Sequence, residues 1–302
     1  MKVATSAKNA LDSKKAVVAL ESSVISQGLA YPKNLEIAHA MEDCIRKENA
    51  QPSTLAIIDG VITVGCTVEE IKRLATESGI LKAGSREIGI AVAQKKTAAL
   101  TVSGTLKIAA KAGIHVFATG GIGGVHHCAN DKPLDVSSDL LELSRNQVIV
   151  VCAGAKNILN LGATLEVLES LAVPVFGFQT DEFPAFFVRF SGYKIPCIQN
   201  VKELAAIAFE HWKYSNSAIL LCLPVESGFA LSPEVWSDAL NHAIHKSVED
   251  KIIGQASTPY LLRAVAEFTQ GATVVANEKL LLANATLAAQ VALELIEKQG
   301  QA

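Results

Sequence analysis

The sequence predicts an α/β protein with a mixed or parallel sheet covered by helices on both faces. Short β-branched runs alternate with longer helical patterns along the chain. Several runs are apolar throughout, such as "VIVVC" at 148–152 and "SAILLCL" at 217–223, as strands buried on both faces are. The chain has 302 residues, half of them hydrophobic, enough to bury a large core.

In order, strands are expected at 16–20, 54–59, 61–65, 98–102, 114–119, 148–152, 173–178 and 217–223. Helices are expected at 33–48, 67–78, 104–112, 135–144, 163–171, 200–213, 233–247, 258–269 and 279–298. Thr67 with Glu70, and Asn200 with Glu203, place a capping oxygen three residues before a glutamate. Ser232 followed by Pro233 marks another helix start. The last helix, "LLLANATLAAQVALELIEK", is apolar on much of its surface and is expected to pack on the body or a neighbouring subunit. No repeat or linker divides the chain, so residues 1–302 read as a single domain.

The net charge of −3, with no basic block, argues against a nucleic-acid surface, which needs clustered Lys and Arg. The six cysteines, Cys44, Cys66, Cys128, Cys152, Cys197 and Cys222, lack zinc-type spacing and read as reduced thiols, most of them in apolar segments. The N-terminus lacks a signal-peptide pattern and no apolar run reaches the ~18 residues of a spanning segment, so a cytoplasmic protein with no membrane partner is expected.

In open α/β sheets ligands bind beyond the carboxyl ends of the strands, and the unusual residues cluster there. Glu21 ends the run "AVVAL", as a solvated strand end or as an acid/base. "FATGGIGGVHH" runs into Gly120, Gly121, Gly123 and Gly124, a tight turn or an anion nest; His126 breaks any dinucleotide fingerprint. His126 and His127 are loop residues or substrate donors, and His242 with His245 read as a solvated helix face. "DVSSDLLELS" sets Asp135 and Asp139 four apart around Ser137 and Ser138, so that on one helix face they are either a capping turn or a hard-cation site. Lys82 and Arg86 are a solvated pair or a phosphate clamp. Lys156, in "VVCAGAKNILNLG", is the strongest outlier: a snorkelling lysine, or an imine-forming amine whose pKa falls from about 10.4 through desolvation or a nearby cation.

The set "ALESSVISQGL", "VGCTVEEI", "FATGGIGGVH", "LDVSSDLLEL", "VCAGAKNILNLGATLE", "GFQTDEFPAFF", "STPYLL" and "NEKLLLANATLAA" resembles the pseudouridine-5'-phosphate glycosidase family, in the family's order and over nearly the whole chain. The resemblance implies the three-layer α/β/α, largely parallel fold of indigoidine synthase A-like proteins. It implies reversible cleavage of the C-glycosidic bond of pseudouridine 5'-phosphate to uracil and ribose 5-phosphate, through a lysine imine with ring-opened ribose. It implies one Mn²⁺ per subunit, or another divalent cation, and a homotrimer. By motif, Glu21 is the acid/base, Lys156 the nucleophile and Asp135 the metal ligand. Ser137, Ser138 and Asp139 contact substrate, Lys82 and the backbone near Val102 hold the phosphate, and His126 and Asn284 match further positions of the site.

Departures from the family pattern are His127 and Cys128 after "GGVH", Gly84 and Ser85 in place of a more basic run, "LTVSGTL" in place of a "TTVAATM"-like segment, and Tyr31 where proline is common. They fall near the expected phosphate and base pockets and leave Glu21, Asp135 and Lys156 in place. Two rivals remain on sequence grounds: another imine-forming lysine enzyme acting on a sugar phosphate, and a non-catalytic phosphosugar-binding protein. The second has no need of an acid and an amine nucleophile.

Overall fold

The computed structural model describes residues 1–127, 135–250, 252 and 257–300; Cys128 lies outside them. The strands are β1 (Lys2–Val3), β2 (Val17–Glu21), β3 (Gln51–Ile58), β4 (Val61–Val64), β5 (Leu81–Ala83), β6 (Ala98–Leu100), β7 (Val116–Ala118), β8 (Ile149–Cys152), β9 (Val175–Phe178), β10 (Cys197–Ile198) and β11 (Ile219–Cys222). The α-helices are α1 (Thr5–Asp12), α2 (Lys33–Lys47), α3 (Val68–Thr76), α4 (Ile88–Ala93), α5 (Val102–Lys111), α6 (Ser138–Leu143), α7 (Leu161–Ser170), α8 (Val201–His211), α9 (Pro233–Glu249), α10 (Ser257–Phe268) and α11 (Ala272–Gly300).

The strands form one sheet in the order β1-β4-β3-β2-β7-β8-β11-β9-β10, with β6 joined to β3 and β5. Among the described strands only the pairings of β3 with β4 and β6 are antiparallel. Helices cover both faces, as the apolar strands require. The residues of β8 and β11 are all fully buried, and α11 packs on β2, β7 and β8 and on helices α2 and α8.

The sheet forks at β3. Residues Gln51–Leu55 pair with β2, and the next two, Ala56 and Ile57, pair with β6. Ser22, just past β2, bridges the fork: its hydroxyl donates to Leu55 O at 2.6 Å and accepts from Leu100 N–H at 2.8 Å. A buried hydroxyl thus satisfies two backbone groups that the fork would leave orphaned.

Every expected strand is present. Short elements escaped the periodic signal: β1, β5, β10, α4, and α1, which buries only Ala7 and Ala10. The Thr67–Glu70 capping box forms, and Asn200 and Ser232 cap α8 and α9. Two expectations are corrected. The last helix begins at Ala272, because burial of Thr273 and Ala276 outweighs the weak helix preference of "TVV". Helix α6 begins at Ser138, not at 135, so Asp135 and Asp139 do not share a helix face.

Helix α11 is also long and apolar enough to cross a membrane by length and composition, with a mean hydropathy of 1.4 over its best window. That corrects the sequence expectation that no segment reaches this length. Over half of that window, 56%, is buried inside the protein, as in a core helix.

Candidate active site

A cavity of about 400 Å³ opens beyond the carboxyl ends of β2 and β8, beside the fork. It is lined by Glu21, Lys82, His126, Asp135 and Lys156, among others, and by Val102 at the start of α5 and Ser137, Ser138 and Asp139 at the start of α6. Every site residue that the family resemblance assigns is on this wall except Asn284; His127, the other candidate donor, is exposed and off it.

Glu21 ends β2 and is only 7% exposed. Strand β7 pairs beside it in the register Ala19↔Phe117 and Leu20↔Ala118, so Thr119 is the next rung opposite Glu21. The Thr119 hydroxyl donates to one carboxylate oxygen of Glu21, and the Ser23 hydroxyl donates to the other. The side chain is held from both sides, with its orientation set by the sheet.

Asn284 stands one layer back. It is fully buried in α11, and its amide donates to Thr119 O at 2.8 Å. It touches the site through the residue that holds Glu21.

Lys156 follows β8. The glycine segment and the lysine turn run side by side: Ala153 N–H donates to Gly120 O, Ile122 N–H to Gly154 O, and Lys156 N–H to Ile122 O at 3.1 Å. This short parallel extension, Ile122↔Ala155, fixes the Lys156 backbone beside the glycines.

Part of the glycine segment is committed within the protein: Gly123 N–H donates to Asp139 Oδ2 at 2.9 Å, and just after the glycines Val125 N–H donates to Thr164 Oγ1 at 3.0 Å and His126 N–H to Asp135 O at 2.9 Å. The glycines also serve close packing. A Cβ on Gly123 would overlap Ser137 and lie 2.8 Å from Asp139 Oδ2.

Asp139 takes Ser103 N–H on Oδ1 at 2.8 Å as well as Gly123 N–H on Oδ2. One nearly buried carboxylate ties the start of α5, the glycine segment and α6 together. Ser137 caps α6 by accepting from Asp139 N–H. Asp135 lies outside the helix, exposed, on the segment that pairs back along Val125 and His126.

Lys82, on β5, is pulled below its ordinary pKa of 10.5, first by burial and then by the Lys156 ammonium, while Glu21 and Asp139 oppose the shift. Lys82, Lys156, Glu21 and Asp139 therefore share one electrostatic environment. Arg86 lines the rim but is mostly solvated and paired with Glu87 at 2.7 Å.

Asp135 is the one expected metal ligand, and the donor set around it limits the ion. The Asp139 carboxylate is occupied by backbone donors, and among the described residues no cluster of three His, Cys, Asp or Glu side chains occurs. That chemistry fits a hard divalent ion held by one carboxylate, with water and substrate oxygens completing its shell, and does not fit a zinc cage. His242 and His245 are exposed on α9, where His242 packs on Phe268.

Sequence reasoning noted the hydroxyl of Ser23 after Glu21 but passed over Thr119, Thr101 and Glu87. Thr119 follows from strand register, since it is the next rung on β7, opposite Glu21.

The family model for indigoidine synthase A-like proteins matches residues 6–294. A pseudouridine-5'-phosphate glycosidase of Mycoplasmopsis agalactiae is 46% identical over 96% of this chain and 97% of its own. The chain belongs to the indigoidine synthase A-like family, among its pseudouridine-5'-phosphate glycosidases. A family member of the same name from Escherichia coli K12 is 42% identical over 97% of this chain and 95% of its own. Among solved structures, the prealnumycin C-glycosynthase AlnA in complex with ribulose 5-phosphate matches with a TM-score of 0.92 and 35% identity, covering 100% of this chain and 98% of AlnA. An indigoidine synthase A-like protein from Thermotoga maritima matches at 0.87 and 35%, over 94% of each chain.

Proposed function

We propose that this family member cleaves the C-glycosidic bond of pseudouridine 5'-phosphate, reversibly, to uracil and ribose 5-phosphate. The observation that carries the reading is the convergence of a held carboxylate, Glu21, and two lysines, Lys82 and Lys156, on one cavity. A binding module has no need of that combination.

The bond between C1' of ribose and C5 of uracil resists simple hydrolysis because the leaving atom is carbon. Lys156 offers a route round this. Opening of the sugar ring breaks C1'–O4' and places a proton on O4'. The Lys156 amine bonds to C1'. When uracil C5 takes a proton, the C1'–C5 bond breaks toward uracil, and the nitrogen lone pair closes an iminium at C1'. Water hydrolyses the iminium, which returns the amine and ribose 5-phosphate, so one water is consumed overall. Glu21 moves the protons, steadied by Thr119 and Ser23.

Lys82 and the amino end of α5 hold the phosphate. Thr101 makes no side-chain cap to that helix, Asp139 takes its Ser103 N–H, and Thr101 and Val102 line the cavity. Asp139 organises this region through its two backbone contacts, and Ser137 and Ser138 face the sugar. Asp135 would hold a divalent cation such as Mn²⁺, which would supply positive charge to substrate oxygens. The open-chain route has chemical support: ribulose 5-phosphate, named with AlnA, cannot close a furanose ring because its C5 oxygen is esterified.

A homotrimer and a cytoplasmic location belong to the same reading. The exposed apolar side chains Val235 and Val248 of α9, Phe268 of α10 and Val275 of α11 support a subunit contact. The deciding experiment follows free uracil chromatographically for wild type and Lys156→Ala. Wild type releases uracil from pseudouridine 5'-phosphate and the variant does not. Borohydride with ribose 5-phosphate labels Lys156. Absence of uracil from wild type, or labelling elsewhere, rejects the reading.

A further inference from the structure

Behind the cavity wall, Ser103 is fully buried and does not itself line the cavity. Its hydroxyl is nevertheless fully engaged. It accepts from Ser85 N–H at 3.3 Å and lies 3.1 Å from Thr101 Oγ1 and 3.0 Å from Ser138 Oγ. Thr101 and Ser138 do line the cavity.

A hydroxyl has one proton and two lone pairs. On Ser103, one lone pair takes the Ser85 N–H. Its proton goes to one of the two cavity hydroxyls, and its second lone pair takes the proton of the other. One of Thr101 and Ser138 therefore keeps a proton free to aim at a ligand, while the other has spent its proton on Ser103.

Gly84 is what makes room for this arrangement. It is not among the glycines with positive φ, so its backbone does not demand glycine. Space does: a Cβ there would lie 3.1 Å from Ser103 Oγ, 3.2 Å from Glu87 Oε2 and 3.5 Å from Ser138 Oγ.

We propose that Gly84 and Ser103 act as a pair that sets the hydroxyl pattern this cavity offers to the phosphate of its substrate. Ser103 is a positioning residue that assigns one donor and one acceptor to Thr101 and Ser138, and Gly84 leaves the space its hydroxyl occupies. The inference rests on the phosphosugar reading of the cavity.

The test compares wild type, Ser103→Ala, Gly84→Ser and the double variant. It measures KM and kcat for pseudouridine 5'-phosphate, and inhibition by ribose 5-phosphate and by ribose. Each single variant raises KM and the ribose 5-phosphate inhibition constant about 3- to 10-fold, the size of one hydrogen bond, with kcat little changed and ribose unaffected. The double variant returns toward wild type, because the new serine at 84 fills the space that Ser103→Ala vacates. Unchanged constants in the single variants, or a double variant as weak as the product of both, overturn the pairing. If Ser103→Ala does not fold, the double variant is compared with Gly84→Ser alone: constants closer to wild type than those of Gly84→Ser support the pairing, and constants as weak or weaker overturn it. Failure of the wild type to release uracil and to bind ribose 5-phosphate would reject the phosphosugar reading itself; success there with unmoved variants rejects only the pairing.

Discussion

Thr119 donates its hydroxyl to Glu21 across the β2–β7 rung that follows Leu20↔Ala118. The acid/base proposed here is thus aimed by strand register, and the second hydroxyl, from Ser23, comes from the turn two residues past the end of its own strand. Glu21→Gln removes the proton carrier and should lower kcat by about 10²–10⁴-fold, with KM nearly unchanged. Thr119→Val keeps the shape and frees the carboxylate on one side. Its kcat should fall by about 10-fold, the loss of one hydrogen bond to a charged group. Steady-state kinetics on both variants checks this, and a Thr119→Val enzyme of wild-type kcat would deny the aiming role.

Lys82 gives a pH signature. In the free protein, burial and Lys156 hold its pKa below 10.5. A bound phosphate dianion favours the ammonium and raises it again. Between those two values binding takes up a proton, so affinity for ribose 5-phosphate falls as pH climbs through the depressed pKa. The stability term has the opposite sign. The folded protein bears the penalty of a charged Lys82 below that pKa and sheds it as pH approaches 10.5. Calorimetry at alkaline pH in buffers of different ionisation enthalpy should register proton uptake in wild type and lose it in Lys82→Met.

Asp139 accepts two backbone N–H groups from segments far apart in sequence, Ser103 and Gly123. Asn at 139 can accept on one side only and turns an NH₂ toward the other N–H. Asp139→Asn should cost about 1–3 kcal/mol of stability, the size of a buried group left unpaired. Urea unfolding measures it. Stability equal to wild type would mean that the tie contributes nothing.

Asp135 is the single protein carboxylate proposed to hold a cation. Titration of Mn²⁺ followed by electron paramagnetic resonance should show binding to wild type that Asp135→Ala loses. Because water and substrate oxygens complete the shell, wild-type binding should tighten when ribose 5-phosphate is present.

Glu21 and Lys156 were legible in the sequence because each places a charge just beyond an apolar strand, where an α/β sheet gathers its ligands. The sheet itself was legible from its buried runs. Other features depend on contacts that no local pattern encodes. Asp139 finds its partners 36 and 16 residues away. The glycines suggested a tight turn or a nest, but no local pattern shows that Gly123 N–H goes to Asp139, or that the N–H groups of Val125 and His126 go to Thr164 and the Asp135 carbonyl. Helix α6 starts late because Ser137 takes the capping position, and this separates the two aspartates that sequence spacing had joined. Asn284 was reached only through family resemblance, and its place behind Thr119 follows from the packing of α11 on β7.

Ser22 gives the divided sheet a further meaning. It is a buried rivet between the strand that ends in Glu21 and the strand that leads to Thr101 and Val102. One hydroxyl therefore couples the proton-moving half of the cavity to its anion-gripping half. Loosening that rivet would let the two halves drift apart while β8, which carries Lys156 at its end, stayed whole. The enzyme would then lose alignment before it lost its fold.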